Sequence, residues 1–506
     1  MPAMPEQSST FLLELPLVTD DAAHRRLEKA FDFARNIYNA TLGHALGHLQ
    51  RMREDPRWRA AVEMDKADPE RRNIFRSLNQ DYGLTLNGLR TVANDHRKAA
   101  RRDCLGAHEA QSIGKRVWHA LERYMFRKGG RPRFKPANRP LNSVEGTDNR
   151  EIIWHPDTET ITWRKHVYPV QVDHGNPYIE QALTCTDQDG VIKRKRVKFC
   201  RIVRKTFNGR ILWYVQLALE GLPPVTHVYA PKSEIVAMDP GPSRAAMLSE
   251  RAAGLYSLAP SIMDFSREIR LISRKMDRSR RAMNQENYEA DGTCKKGRLQ
   301  WRYSNEYRKD QARLRELHRR LEQTRDRDHG MLANHVLSLG GTVKVEINSY
   351  KSYQRGFLSK STQKHAPGKF IARLKSKASS AGLEVVEFDP RTLRLSQYDP
   401  FTETYVKKPL KQRWHRLGNT NTIVQRDVFS AFLLLYAGKN GHNPELLREK
   451  WAAVEPLLRD AGLCRDIEPR NDQDWDKTLS RLTKEPEPQT LTPRTSGASR
   501  RSRTRQ

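Results

Sequence analysis

The spacing of apolar residues along this chain changes several times, and each change predicts an element. Thr10-Phe-Leu-Leu-Glu-Leu-Pro-Leu-Val18 reads as a strand, and Pro16 marks an edge position because proline has no N–H to give to a ladder. Asp20 and Asp21 can cap a long helix to about Met52, since Leu27, Phe31, Ala34, Ile37 and Tyr38 recur at helical spacing. Helical patterning continues from about Phe75 to Arg127, until Gly and Pro break it in Lys128-Gly-Gly-Arg-Pro-Arg-Phe-Lys-Pro136. From about 142 to 222 the runs become short and β-like: Ile152-Ile-Trp, Thr160-Ile-Thr-Trp, Val197-Lys-Phe-Cys-Arg-Ile-Val and Ile211 to Leu219, with turns at Gly190 and Asn208-Gly209. They predict an antiparallel β domain, a small barrel that includes strand 10–18.

Residues 233–440 alternate strand and helix patterns: strand 234–238, a highly charged helical pair over 263–336 turning at Asp291-Gly292, strand 342–347, helix 367–380, strand 383–388 and helix 425–437. Leu314, Leu317 and Leu321 mark the apolar stripe of the charged pair. Asn443 to Leu463 is one or two further helices. The tail from about 484 is rich in Pro, Thr, Ser and Arg. Arg494, Arg500, Arg501, Arg503 and Arg505 have no acid among them, so the tail is expected to be disordered.

Charge adds a partner to this outline. The 506 residues carry 91 Lys and Arg against 60 Asp and Glu, a formal net charge of +31. Such an excess, spread along the chain rather than gathered on one amphipathic helix, points to nucleic acid before membrane. Five scattered cysteines without a CxxC pair fit a reducing cytoplasm and argue against a disulfide framework or a thiolate zinc knuckle. The first residues lack the pattern of a signal peptide, and no run is long enough for a transmembrane helix. Two basic stretches are candidates for nucleic-acid contact. Arg131, Arg133 and Lys135 flank Phe134 in the Gly- and Pro-rich turn, although on local chemistry alone the plainer reading, a solvated turn with Phe134 buried, prevails. Lys193, Arg194, Lys195 and Arg196 form a dense basic strand, suited equally to a solvated edge or to phosphates.

The candidate chemistry lies in three carboxylates. Asp239 ends an apolar strand in Ile-Val-Ala-Met-Asp-Pro-Gly, Glu346 ends another in Thr-Val-Lys-Val-Glu-Ile, and Asp427 opens an apolar helix in Val-Gln-Arg-Asp-Val-Phe-Ser-Ala. Each alone reads as a loop acid, a strand-end acid or a helix N-cap. Together they have the residue types needed to hold two Mg²⁺ or Mn²⁺ ions for phosphodiester hydrolysis, because these hard ions prefer carboxylate oxygens. An RNase H-like fold places such acids on its first strand, a later strand and its last helix. The order Asp, Glu, Asp is that of RuvC-type nucleases, whereas transposases of the same fold usually end in Glu. No Walker loop, G-x-G-x-x-G after a strand, or H-E-x-x-H is present.

At these residues the chain resembles compact type V CRISPR-associated RNA-guided nucleases (the Cas-twelve-like, type V-U kind) and the transposon-encoded TnpB nucleases related to them. The resemblance spans most of the chain. It rests on Phe31-Asp-Phe-Ala-Arg-Asn-Ile-Tyr-Asn39, Gly130-Arg-Pro-Arg-Phe-Lys135, the three acid stations, Phe357-Leu-Ser-Lys-Ser361, Lys408-Pro-Leu-Lys-Gln-Arg413 and Val424 to Ala431. It implies a multidomain α+β, bilobed protein. The expected parts are a wedge β-barrel from 1–20 with 137–232, a helical recognition domain 21–136, and a RuvC-like nuclease domain 233–440. That last domain would carry the helical hairpin 263–336 and a target-nucleic-acid loop 389–421. C-terminal helices 441–480 and the basic tail 481–506 complete the chain. The implied partners are a guide RNA (a crRNA, with or without a second trans-acting RNA or fused to it) and target double-stranded DNA with an adjacent motif, read in a prokaryotic cytoplasm. Asp239, Glu346 and Asp427 would be the catalytic metal ligands, with Arg413 and Arg426 near the nucleic acid. Related nucleases usually carry two CxxC pairs before the last Asp; here Leu395-Ser-Gln-Tyr-Asp-Pro-Phe stands where the first would fall, so the loop is expected to lack zinc. A single copy is long enough to enclose a guide–target duplex, so a monomer is expected. A TnpB-type transposon nuclease, an RNA-guided binder that silences without cutting, and a guide-free junction nuclease or RNA-binding structural protein are the alternatives.

Overall fold

Asp20 accepts the Ala23 amide at 2.6 Å and starts the longest helix of the N-terminal half, as its position before an apolar helical stripe predicts. The computed structural model describes residues 9–100, 103–147, 150–187, 189–262, 265–347, 350–354, 356, 358–409, 411–438, 441–467, 475, 478, 479, 482 and 486–491. The chain divides into two units, 1–224 and 225–506.

In the first unit, strand β1 (Thr10–Pro16) precedes five helices: α1 (Asp21–Glu54), α2 (Pro56–Glu63), α3 (Pro69–Asp81), α4 (Leu86–Ala99) and α5 (Ala107–Met125). Then come β2 (Ser143–Glu145), β3 (Ile152–His155), β4 (Thr160–Trp163), β5 (His166–Pro169), α6 (Pro177–Leu183), β6 (Thr184–Thr186), β7 (Ile192–Arg194), β8 (Val197–Phe207) and β9 (Arg210–Glu220). Asn208 and Gly209 both adopt positive φ, which lets two residues turn β8 into β9.

The expected barrel is not closed among the described residues. The strands form an open sheet in the order β1-β9-β8-β2, a separate meander β3-β4-β5 and a two-stranded ladder β6-β7. The edges explain this: β1 ends in Pro16, which cannot donate, and β2 has three residues to offer. A single bridge, Leu17 to Val170, continues past β1 to the end of the meander. The dense basic strand is also interrupted: Lys193 and Arg194 belong to β7, and Lys195 and Arg196 lie between it and β8. Helices and sheets share one core, where Phe31 of α1 meets Trp213 of β9 edge-on at 4.9 Å and Trp163 of β4 at 6.5 Å.

The second unit is layered. Its strands β10 (Ile235–Pro240), β11 (Arg244–Ser249) and β12 (Ala253–Ser257) form an antiparallel meander. Helices α7 (Phe265–Met283) and α8 (Asn305–Leu339) follow, then β13 (Thr342–Glu346), α9 (Tyr350–Tyr353), α10 (Ser359–His365), α11 (Pro367–Ser380) and β14 (Glu384–Phe388). The chain continues through α12 (Pro390–Leu393), β15 (Tyr398–Asp399), β16 (Thr404–Tyr405), β17 (Trp414–Arg416), β18 (Thr422–Gln425), α13 (Arg426–Leu435), α14 (Pro444–Asp460) and β19 (Cys464–Asp466). The main sheet has the order β12-β11-β10-β13-β14, with β13 and β14 parallel to β10. Alternation sorts its side chains between two cores. Val236, Met238, Val343 and Val345 pack against α8 and α11, whereas Ala237, Ala246 and Leu248 pack against α13 and α14.

The charged stretch is a helical pair, zipped by Ile272, Met276 and Leu317. Its connection, 284–304, is longer than a turn at Asp291-Gly292. Buried Asn284 and Asn287 hold it by bonding the carbonyls of Arg302 and Gln300. The stretch 486–491, expected to begin the disordered tail, instead lies beside β12: the Gln489 amide donates to the Leu255 carbonyl at 2.7 Å. The arginines expected to make the tail basic lie outside the described residues. Among the described residues no helix is long and apolar enough to cross a membrane.

Candidate active site

Residue parity in the main sheet decides where the three acids point. Asp239 follows Ala237 on β10, and Glu346 follows Lys344 on β13, so both are on the face covered by α13. The parallel register pairs Met238 with Val345, which places Asp239 and Glu346 at the same level at the carboxyl ends of neighbouring strands. Asp239 is also paired with Ala246 in the hairpin that Gly241 closes by donating to the Arg244 carbonyl at 2.8 Å.

Asp427 arrives from the helix. The N-cap of α13 is Gln425, whose side-chain oxygen accepts the Val428 amide at 2.8 Å. Asp427 is therefore not spent as the cap, the plainer role its position allowed. Its oxygens instead face the Gln425 amide at 3.4 Å, Arg426 Nε at 3.4 Å and Arg413 Nη1 at 3.9 Å. Arg426 is largely buried and also donates to the Pro409 carbonyl at 3.3 Å. At the other end of α13, Lys344 donates to the carbonyls of Leu435 and Ala437 at 2.8 and 2.9 Å, so a cation from the sheet closes the helix C-terminus. The carboxyl end of α13 is thus fixed to the sheet by Lys344.

The three acids feel one another. Burial first, then the charges of Asp427 and Glu346, push the Asp239 carboxyl well above the usual carboxylate range, against the charge of Arg426 and a hydrogen bond from Ser430. Tyr350 and Tyr353, two residues that the sequence pattern did not single out, belong to the same neighbourhood. Burial and then the charge of Asp239 raise both phenols. The Tyr350 hydroxyl donates to the Pro240 carbonyl at 3.3 Å, just after Asp239. Their only sequence signal is position, immediately after the second acid station.

A cluster of like charges disfavoured by its own proximity is the electrostatic condition a divalent cation relieves. The donor set, three carboxylates, suits a hard ion. Among the described residues, however, no three acidic, histidine or cysteine side chains are drawn around one point. The donor chemistry of the three carboxylates fits such an ion.

The loop between β14 and α13 holds a buried polar cluster. Lys408 Nζ donates to His415 Nδ1, His415 Nε2 faces Asp399 at 3.5 Å, and Asp399 accepts the amides of Phe401 and Gly418 at 2.9 Å each. The imidazole stacks on Phe429 of α13 at 4.7 Å. Burial pulls Lys408 down to about 8, with Asp399 opposing it and Arg426 adding to it. Burial pushes Asp399 up, but its bonds from His415 and the Gly418 and Phe401 amides outweigh this and hold it below the usual range.

The remaining candidates are spread over the first unit. Lys193 pairs with Asp187 at 2.6 Å and Arg194 with Glu180 at 3.3 Å. Lys195 covers Phe11 at 4.9 Å, and Arg196 is exposed. Arg131 and Arg133 are exposed, and Lys135 lies over the Tyr38 ring at 5.8 Å. Phe134 is 54 % exposed, which overturns the buried turn expected from local chemistry.

No family model matches the chain, and no curated protein matches it. Among solved structures it is similar to the complex of Cas12f1 with sgRNA and target DNA, at 11 % identity and a TM-score of 0.42, over 84 % of this chain and 98 % of that one. It is also similar to a CRISPR-Cas12f ternary complex, at 11 % identity and a TM-score of 0.27 over the same shares. A Cas12i–crRNA–dsDNA complex matches at 12 % identity and a TM-score of 0.28, over 88 % of this chain and 65 % of that one.

Proposed function

We propose that this chain is an RNA-guided DNA endonuclease of the compact type V kind, which hydrolyses phosphodiesters at Asp239, Glu346 and Asp427 with two Mg²⁺ or Mn²⁺ ions. The observation that carries the hydrolytic reading is the placement of acids from β10, β13 and the first turn of α13 on one face of a β12-β11-β10-β13-β14 sheet, where the charges of Asp427 and Glu346 act on Asp239. That is the arrangement expected of an RNase H-like, RuvC-type domain. The guided reading is supported by the sequence stretches that resemble the family and by the +31 charge, which suits an RNA scaffold and a heteroduplex gripped through phosphates.

Asp239, Glu346 and Asp427 would hold the ions. When bound, the ions supply an activated water and stabilise the leaving oxygen. The chain's own residues arrange the rest. Gln425 caps α13 and leaves the carboxylate of Asp427 available. Lys344 fixes the far end of that helix. Tyr350 holds the strand end beyond Asp239 through Pro240. Arg413 and Arg426 balance the charge of Asp427 while no cation is there.

The test is cleavage of guide-matched double-stranded DNA with Mg²⁺, alongside sequencing of the RNA that co-purifies. Asp239→Ala is expected to abolish cutting and leave RNA binding nearly intact, because it removes a metal ligand and not a phosphate grip. Purified protein without a discrete RNA defeats the guided reading, and an Asp239→Ala protein that cuts like the wild type defeats the site assignment. The contacts of Asp427 with two arginines favour one second reading, a guided binder that silences without cutting. It predicts matched-DNA binding without cleavage in any divalent metal.

A further inference from the structure

The turn after α5 has a composition that the nuclease site does not use. From 123 to 144 the sequence contains seven cations (Arg123, Arg127, Lys128, Arg131, Arg133, Lys135 and Arg139) and no acid. Among the described residues no carboxylate forms an ion pair with any of the seven, whereas Lys193 and Arg194 of β7 are both paired. Two large aromatic rings stand open within the same turn, Phe126 at 64 % and Phe134 at 54 % exposure. Isolated exposed apolar residues are ordinary, but two phenylalanines among unpaired cations are costly to leave in water.

The turn is also built. The Asn39 side chain of α1 clasps Lys135 from both sides, donating to its carbonyl at 2.9 Å and accepting its amide at 2.7 Å. Beside that clasp the Phe134 ring rests against α1 at Gly43, where an added Cβ would lie 3.8 Å from the ring. Lys128 Nζ sits 6.0 Å from the centre of the Phe126 ring. The Phe134 ring thus lies against α1 on its inner side, next to the clasped Lys135, and remains open on the other. A ring ordered in advance loses little entropy when a flat partner stacks on it.

We propose that this turn is a binding surface for unpaired nucleotides, with Phe134 and Phe126 as stacking platforms and Arg131 and Arg133 on the flanking phosphates. A duplex hides its base faces and would engage the cations alone, so the open rings select for a single strand. The shared chemistry is a nucleobase on a phosphate backbone, present in RNA and in displaced DNA. The surface stands independently of the carboxylate reading.

Binding is measured by fluorescence anisotropy with four labelled probes of one length: single-stranded RNA, single-stranded DNA, an abasic strand and a duplex. The protein carries Asp239→Ala, so that cutting cannot interfere and failure here is distinct from failure of the nuclease reading. Phe126→Leu with Phe134→Leu keeps apolar bulk at both positions but removes the rings. It is expected to weaken base-bearing single strands roughly tenfold, leaving the abasic and duplex probes and the salt slope unchanged. Arg131→Gln with Arg133→Gln is expected to weaken all four probes and flatten the salt slope by about 0.7 per single-strand phosphate contact. A larger loss on the RNA or the DNA strand identifies which is the occupant. Leucine variants that bind single strands like the parent, or that lose the abasic and duplex probes equally, overturn the proposal. Circular dichroism of the leucine variant separates lost stacking from lost folding.

Discussion

Two carboxyls of this molecule are pushed above the usual acid range, for different reasons. Glu109 is fully buried at the start of α5, where its oxygens accept the Trp163 indole N–H at 2.6 Å and the Gly106 amide at 2.5 Å, and Glu151 lies beside it on two further amides of the same turn. Burial first, then Glu151, pushes Glu109 up to about 8. An acid bound more tightly to its proton in the folded state gives stability that is full below the ordinary glutamate range and is lost as pH rises toward 8. Unfolding by urea is therefore expected to show wild-type stability falling between about pH 4.5 and 8, by on the order of several kcal/mol, and Glu109→Gln to flatten that fall. Parallel pH profiles for the two proteins would sink the pairing. Asp239 is raised by burial and by its fellow acids, so its charge opposes the fold until a cation arrives. Without divalent ions, Asp239→Asn is expected to gain on the order of 1 kcal/mol, about 2–4 °C in melting temperature. Adding Mg²⁺ should stabilise the wild type and leave the variant where it was. Equal Mg²⁺ responses would show that the ion does not bind at this acid.

Among the elements, those that carry the acids were the most legible in the sequence. Ile-Val-Ala-Met-Asp, Thr-Val-Lys-Val-Glu and the apolar run after Asp427 are local patterns, and the observed β10, β13 and α13 fall on them within two residues or so. What the pattern could not carry is any pairing made across sequence distance. The capping by Gln425, the reach of Lys344 to the carbonyls of α13, and the closeness of Tyr350 to Asp239 depend on how elements stack. Barrel closure failed for a related reason, since alternation gives strands but says nothing of which edges meet. The loop before α13 is the clearest case: its lack of cysteine was legible, and its Asp399–His415–Lys408 substitute was not. That cluster ties the loop to α13 through the stack of His415 on Phe429. Removing one member strands the others in a buried place, so His415→Ala is expected to cost about 3 kcal/mol in urea unfolding. By contrast, EDTA added in Mg²⁺-free buffer should leave the transition unmoved. A chelator-induced loss of stability would mean that a tightly held metal, not this cluster, secures the loop.

At the scale of the whole molecule, +31 charges must coexist with an acidic centre that depends on few of them. Many cations are spent internally, as with Lys193, Arg194 and the pairs that line α7 and α8. The acid-free turn 123–144 is not. A polyanion held mainly by such unpaired cations releases a counterion for each phosphate neutralised, so its affinity must fall steeply and linearly on a log–log plot against salt. If six to ten phosphates are engaged, raising salt from about 50 to 200 mM weakens binding of a single-stranded RNA by about 10³–10⁵-fold. Asp239→Ala should have the same slope, because a carboxylate at the sheet end releases no counterion from RNA. The comparison separates gripping from cutting within one chain. A steep slope shared by both proteins, with cleavage lost in one alone, is what a phosphate grip built apart from the acidic centre requires; a shallow slope, or one that Asp239→Ala changes, would mean that the two are the same site.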